Sequence, residues 1–147
     1  MRRLKIYLAG KMSGLNYTDM NKWRVKVKNK LLNKTTFGSD VSLQIVNPVD
    51  YYNFEEKTHQ SEIEIEDYDL AHVKSSDIII VNLEGLSSSD GTKIELHDAK
   101  YNNKIPVIAF GDIQLYESLH PWIKNAITRV EPNIESVCEY IFGFYMT

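Results

Sequence analysis

Apolar and polar positions along this 147-residue chain change period several times, and each change marks an element. Leu4–Ala9 (LKIYLA) is a short apolar run that stops at a glycine-bearing loop, GKMSG (10–14). Thr18 and Asp19 then offer caps for a helix to about Leu32. Gly38 and Asp40 mark a turn, SLQIVN (42–47) reads as a second strand, and Pro48 ends it. The stretch 49–60, with Tyr51, Tyr52, Asn53 and Phe54, has no clean period and reads as a loop. From Ser61 the spacing of Ile65, Tyr68, Leu70, Ala71 and Val73 is mostly helical and predicts a helix to about Lys74. Asp77–Asn82 (DIIIVN) is an unbroken β-branched run, as expected of a strand covered on both faces. Asp90 or Thr92 caps a helix to about Asn102, and Ile105–Phe110 is another buried strand. Two helices, about Tyr116–Ile127 and Asn133–Phe142, complete the pattern. Alternating strands and helices predict an α/β architecture, a doubly wound parallel sheet in a single domain spanning 1–147.

Length and composition fit that reading: one hydrophobic core, 43% hydrophobic and 25% charged residues. A net charge of -3 at pH 7 gives no electrostatic case for a nucleic-acid polymer as partner. The first apolar run is too short for a signal or membrane segment, so a cytoplasmic protein with no membrane partner is expected. The one cysteine, Cys138, excludes an internal disulfide and reads as a core residue of the last helix. The four histidines share no spacing, so no metal site is expected.

In a doubly wound sheet the ligand site lies outside the carboxyl ends of the strands. That rule brings together GKMSG, the Tyr51–Tyr52 loop and the turn at 86–92. Three acids fall near this edge: Asp69, Asp90 and Glu95. Glu95 begins the inner face of its helix, where it serves either as an acid satisfied by the helix N-terminus or as an ionised nucleophile open to a substrate. Asp69 reads alternatively as a solvated helix acid. Asp77 reads as a residue that binds backbone amides at the start of its strand. GKMSG lacks the glycine spacing of GxGxxG and the GK[ST] of a P-loop, yet its amides, Lys11 and Ser13 suit a small ligand's hydroxyl or phosphate.

KIYLAG (5–10), DLAHVKSSDIIIVNL (69–83) and DGTKIELHDAKYNNKIPVIA (90–109), taken together, resemble the nucleoside 2-deoxyribosyltransferase superfamily, which includes the 2'-deoxynucleoside 5'-phosphate N-hydrolases. YLAGKMSGLNYTDMNKW (7–23) and VNP (46–48) are most similar to small, often phage-borne, proteins of that group. The resemblance implies a flavodoxin-like, Rossmann-like fold and cleavage of the N-glycosidic bond of a 2'-deoxynucleoside or its 5'-monophosphate. It puts the family's nucleophile on Glu95, its sugar-binding or proton-sharing aspartate on Asp69, and the aromatic residue that positions the nucleophile on Tyr7. Substrate contacts would come from Gly10, Lys11, Met12 and Ser13 and from Ser89, Asp90, Gly91 and Thr92, with no cofactor. Free base is the other small-molecule partner. A homo-oligomer is also implied, with Tyr116–Trp122 or the aromatic tail Phe142–Tyr145 as contact.

Many transferases of the family carry an aspartate six residues before the nucleophile; here Ser89 stands there, with Asp90 one residue later. Serine suits the phosphate-preferring hydrolases, in which Ser87, Ser88, Ser89 and Lys11 would form an anion pocket. A transferase is the first expectation, a 5'-monophosphate hydrolase the second, and a non-catalytic nucleotide-binding module the third.

Overall fold

The computed structural model describes residues 2–35, 40–52 and 55–146. Gly38 of the expected turn, and Asn53 and Phe54 of the expected loop, lie outside the described residues. Five parallel strands form one sheet in the order β2-β1-β3-β4-β5, the flavodoxin-like order. They are β1 (Arg2–Ala9), β2 (Val41–Val46), β3 (Ile78–Asn82), β4 (Val107–Phe110) and β5 (Arg129–Glu131). The helices are α1 (Tyr17–Thr35), α2 (Glu62–Lys74), α3 (Asp90–His97), α4 (Ile113–Glu117), α5 (Pro121–Lys124) and α6 (Ile134–Tyr140). The expected α/β doubly wound sheet is what the chain forms.

The β-branched run in β3 is buried on both faces because its side chains alternate between two cores. Ile78 and Ile80 join Leu4, Ile6 and Leu8 of β1 against Val27 and Leu31 of α1 and Val137 and Cys138 of α6. Ile79 and Val81 join Tyr7 and Ala9 of β1 against Val73 of α2 and Leu96 of α3. Tyr7 therefore faces the α2/α3 layer, and the strand period fixes that choice. Asp77 accepts the Lys5 amide at 2.8 Å, tying the start of β3 to β1 as its sequence position suggests.

Element ends follow local chemistry. Asn16, rather than Thr18 or Asp19, caps α1: its side-chain oxygen accepts the Asp19 amide at 2.8 Å. Ser61 and Glu64 form a capping box at the start of α2. After β2, Asn47 caps a single 3-10 turn, Pro48–Asp50. The helix expected to Asn102 is α-helical only to His97 and continues as a wider π-type turn, Asp98–Asn102. The long helix expected over Tyr116–Ile127 is instead two short helices. Pro121 cannot continue α4 and starts α5, with His120 Nδ1 accepting the Trp122 amide at 3.1 Å. β5 was not expected at all. Its three residues carry charge at both ends, and only its parallel register with Ile108–Phe110 makes it a strand.

Ile80→Ala removes a fully buried side chain from the centre of the sheet. We expect it to lower stability by about 2–5 kcal/mol, read as a shift of the urea midpoint with an unchanged slope.

Candidate active site

Strand β1 lies next to β3, and the connections that follow them lead in opposite directions in strand order, to β2 and to β4, which opens a crevice at their carboxyl ends. Four segments meet there: the end of β1 with its loop, the loop after β2, α2 and α3. Their side chains make two hydrogen-bonded carboxylate groups.

The first is Glu95. Because α3 begins at Asp90, Glu95 is its sixth residue and lies past the free amides of the first turn. The helix-capping reading of this acid therefore does not hold. Its Oε2 instead accepts a hydrogen bond from the Tyr7 hydroxyl of β1. Tyr7 is 1% exposed, and Glu95 is partly buried beside it. Burial pushes the Glu95 carboxyl up to about 8; Asp69 pushes the same way, while the Tyr7 hydrogen bond and Arg24 pull it back. Burial and the neighbouring carboxylate also raise Tyr7 well above its ordinary value, so it stays a neutral phenol and a proton donor.

The second is Asp69 of α2. Its Oδ1 accepts from the Tyr51 hydroxyl at 2.5 Å and from the Tyr52 hydroxyl at 3.0 Å. Tyr52 also donates to the Ile65 carbonyl at 3.1 Å. Burial raises the Asp69 carboxyl despite the two phenols and Arg24, which lower it. Tyr51 packs edge-on against Tyr52 and Tyr68 and stacks on His72 at 5.2 Å, so an aromatic cluster fixes both donors. The Tyr51 hydroxyl also interacts with that of Tyr7, which links the two carboxylates through phenols.

On the rim, Lys11 Nζ donates to Ser88 Oγ at 3.0 Å and joins the first loop to the turn after β3. The Lys11 stem lies on Gly85, whose φ of +78° and whose lack of a Cβ, which would come within 2.8 Å of Lys11 Cδ, both call for glycine. Ser89 Oγ is engaged with Thr92 Oγ1 at 2.6 Å, so Ser88, not Ser89, is the serine that meets Lys11. Gly10 is buried under Trp23, and a Cβ there would come within 2.7 Å of the indole. Met12 is partly exposed; Ser13 and Gly91 are exposed. The Asp90 side chain is 97% exposed, with Lys93 Nζ at 3.9 Å. It stands outside the cluster around Glu95. Among the described residues, no group of three or more His, Cys, Asp or Glu side chains could hold a metal ion.

The sequence reading passed over Arg24. Its spacing carries a signal, because Met20, Arg24, Val27 and Leu31 form one helical stripe and all four are buried. A charged residue on that stripe must find partners inside. The roles of Tyr51 and Tyr52 as donors to Asp69 were also not legible, since they depend on how an aperiodic loop folds back on α2.

No family model matches the sequence, and no curated protein matches it. The fold has solved counterparts. A conserved protein from Enterococcus faecalis V583 superposes with a TM-score of 0.70 at 19% identity, over 96% of this chain and 98% of the other. A 2-deoxyribosyltransferase from Bacillus psychrosaccharolyticus gives 0.57 at 20% identity, over 95% and 93%. A 2-deoxyribosyltransferase from Leishmania mexicana gives 0.57 at 17%, over 97% and 99%. The chain thus has an α/β fold of the flavodoxin-like class, and in particular the fold of the 2-deoxyribosyltransferases over nearly its whole length.

The raised Glu95 carboxyl sets a pH dependence of stability. A folded value above that of the unfolded chain means that the native state is favoured with the proton on. The contribution is complete below about 4.5 and is lost as pH rises through about 8. Glu95→Gln keeps an acceptor for Tyr7 and has no charge to bury. We expect its melting temperature to match the wild type near pH 4.5 and to exceed it increasingly towards pH 8, as followed by circular dichroism.

Proposed function

We propose that this chain is an enzyme of the nucleoside 2-deoxyribosyltransferase superfamily that cleaves the N-glycosidic bond of 2'-deoxynucleosides or their 5'-monophosphates. The observation that carries the reading is the Tyr7–Glu95 hydrogen bond at the carboxyl edge of β1. A partly buried carboxylate is aimed by a neutral phenol, at the crevice where this fold binds ligands. The shared fold with two 2-deoxyribosyltransferases and the sequence resemblance support it independently.

In the mechanism, ionised Glu95 attacks C1' as the bond to the base breaks, and the departing base takes the bonding pair and a proton delivered by the Asp69 carboxyl, which burial raises, or by water. Without a 2'-hydroxyl the developing oxocarbenium charge is less destabilised, so one carboxylate suffices to capture C1'. The product is a deoxyribosyl ester on Glu95 Oε. A second base then attacks C1' from the opposite face, releases Glu95 and restores the starting anomer; water in its place gives the hydrolysed sugar. Tyr7 keeps the carboxylate oriented and does not compete as a nucleophile, being fully protonated. Asp69, with one oxygen held by Tyr51 and Tyr52, presents the other to the sugar or to a proton of the leaving base.

Transfer to a second base is the first reading. Hydrolysis of 5'-monophosphates is the second, and the Lys11–Ser88 pair favours it: a cation and a hydroxyl on the rim can donate to a phosphate. A homo-oligomer belongs to the same proposal; Trp122 and Phe144 are 74% and 65% exposed.

The test is chromatographic assay of wild type and Glu95→Ala with deoxynucleosides and their 5'-monophosphates, with and without a second free base. Base exchange lost by on the order of 10³-fold or more in the variant is the expected result. Free base released from monophosphates alone selects the hydrolase, and binding without turnover in either protein selects the non-catalytic module. With an active wild type, kcat/KM should rise with pH to a plateau above about 8, because only the ionised Glu95 attacks.

A further inference from the structure

Arg24 is the one fully buried charged side chain among the described residues, at 0% exposure. It belongs to α1, on the face of the sheet opposite Glu95, and its guanidinium closes over the carboxyl end of β1. Nη2 donates to the Gly10 carbonyl at 2.9 Å, Nε to the Leu8 carbonyl at 3.4 Å, and Nη1 to the Met20 carbonyl. Its Cζ lies 4.6 Å from the centre of the Trp23 ring, the same ring that covers Gly10. All three hydrogen bonds go to neutral carbonyls, so no contacting carboxylate cancels the charge. Beyond these contacts its charge interacts with the ionisable groups of the site, the carboxyls of Glu95 and Asp69 and the neutral phenols of Tyr7 and Tyr51.

We propose that Arg24 is a positioning residue of this site: it fastens the end of β1 and the first loop to α1 through the Leu8 and Gly10 carbonyls, and its buried charge is the fixed positive partner of Glu95 and Asp69. The inference rests on the reading of Glu95 as the nucleophile for its meaning, though not for its test. A cation without a contacting acid is costly to bury, and three carbonyls and an aromatic face offset only part of that. The remaining stabilisation comes from ionised carboxylates across the strand, and by reciprocity the cation favours their ionised form. Arg24 thereby works against the burial of Glu95. It favours the ionised, nucleophilic form of Glu95 from the opposite face of the sheet. An arginine suits this place better than lysine because its donors fan out in a plane and its proton is not lost; even with burial it titrates only at about 10.

The charged and titratable groups that act on Glu95 are Tyr7 from β1, which hydrogen-bonds it, and through space Arg24 from α1, Tyr52 from the loop after β2 and Asp69 from α2. Of these, Arg24 alone is cationic. The experiment is a carbon-13 NMR titration of the glutamate carboxyls in substrate-free protein, with the Glu95 signal assigned by its absence in Glu95→Gln. Arg24→Gln keeps amide donors for the carbonyls but removes the charge, and Arg24→Lys keeps a charge. The Glu95 midpoint should move up by about one unit in Arg24→Gln and stay closer to wild type in Arg24→Lys. An unchanged midpoint in Arg24→Gln, or equal shifts in both variants, overturns the inference and leaves Arg24 a structural fastener. Should Arg24→Gln fail to fold, the Arg24 Nε–H resonance of the otherwise native chain replaces it. That resonance should inflect at the Glu95 midpoint and lose the inflection in Glu95→Gln; a flat response in the native chain overturns the inference. The acid limb of kcat/KM should follow the same order among the variants. If the wild type turns over no nucleoside or nucleotide, the enzymatic reading fails by itself, and the NMR titration still decides the role of Arg24.

Discussion

One hydrogen bond, from the phenol of Tyr7 to the carboxylate of Glu95, ties the chemistry of this protein to the geometry of its sheet. Tyr7 can reach Glu95 only because the strand period turns it towards the α2/α3 layer, while Ile6 and Leu8 turn to α1 and α6. A slip of one residue in β1 would send the phenol to the wrong face. The register is held from both sides, by β2 pairing along 2–7 and by β3 pairing along 6–9. The Asp77 carboxylate on the Lys5 amide fixes it further. Core packing and site geometry are thus one problem, solved by the same strand.

The second constraint is electrostatic. Two carboxylates, Glu95 and Asp69, share a partly buried crevice in which burial raises both. Like charges at close quarters resist simultaneous ionisation, and the phenols of Tyr7, Tyr51 and Tyr52 relieve this by donating to the ionised forms. Different donors hold the two acids in different environments, which suits a division into nucleophile and proton-sharing partner. Arg24 adds a buried positive charge from the far side of β1.

Much of this was legible in the sequence, and what was not has physical reasons. The β-branched run of β3 reports burial on both faces directly, and the helical spacing after Ser61 marks α2 as far as Lys74. β5 is too short and too charged to signal itself, and the break at Ser118–His120 follows from Pro121 acting as a helix start inside an apparently helical stretch. Tyr7, Asp69 and Glu95 were named together because of a resemblance, and the fold brings their side chains into one crevice. Asp90 was named with Asp69 and Glu95 because its turn lies at the carboxyl edge of the sheet; as the first residue of α3 its side chain is exposed to solvent. Arg24 was hidden among the lysines of α1, although its place on the Met20–Leu31 stripe marks it as buried. Donors to Asp69 come from a loop without period, and loop geometry is what pattern reading resolves least.

The central claim is that Glu95 forms a covalent bond to the sugar. Its most direct test is acid-quenched mass spectrometry of the protein mixed with a 2'-deoxynucleoside or its 5'-monophosphate, followed by peptide mapping. The account predicts a deoxyribosyl adduct on the peptide carrying Glu95, absent in Glu95→Gln and discharged by a second base or by water. An adduct on another residue, or turnover that persists in Glu95→Gln, would contradict it.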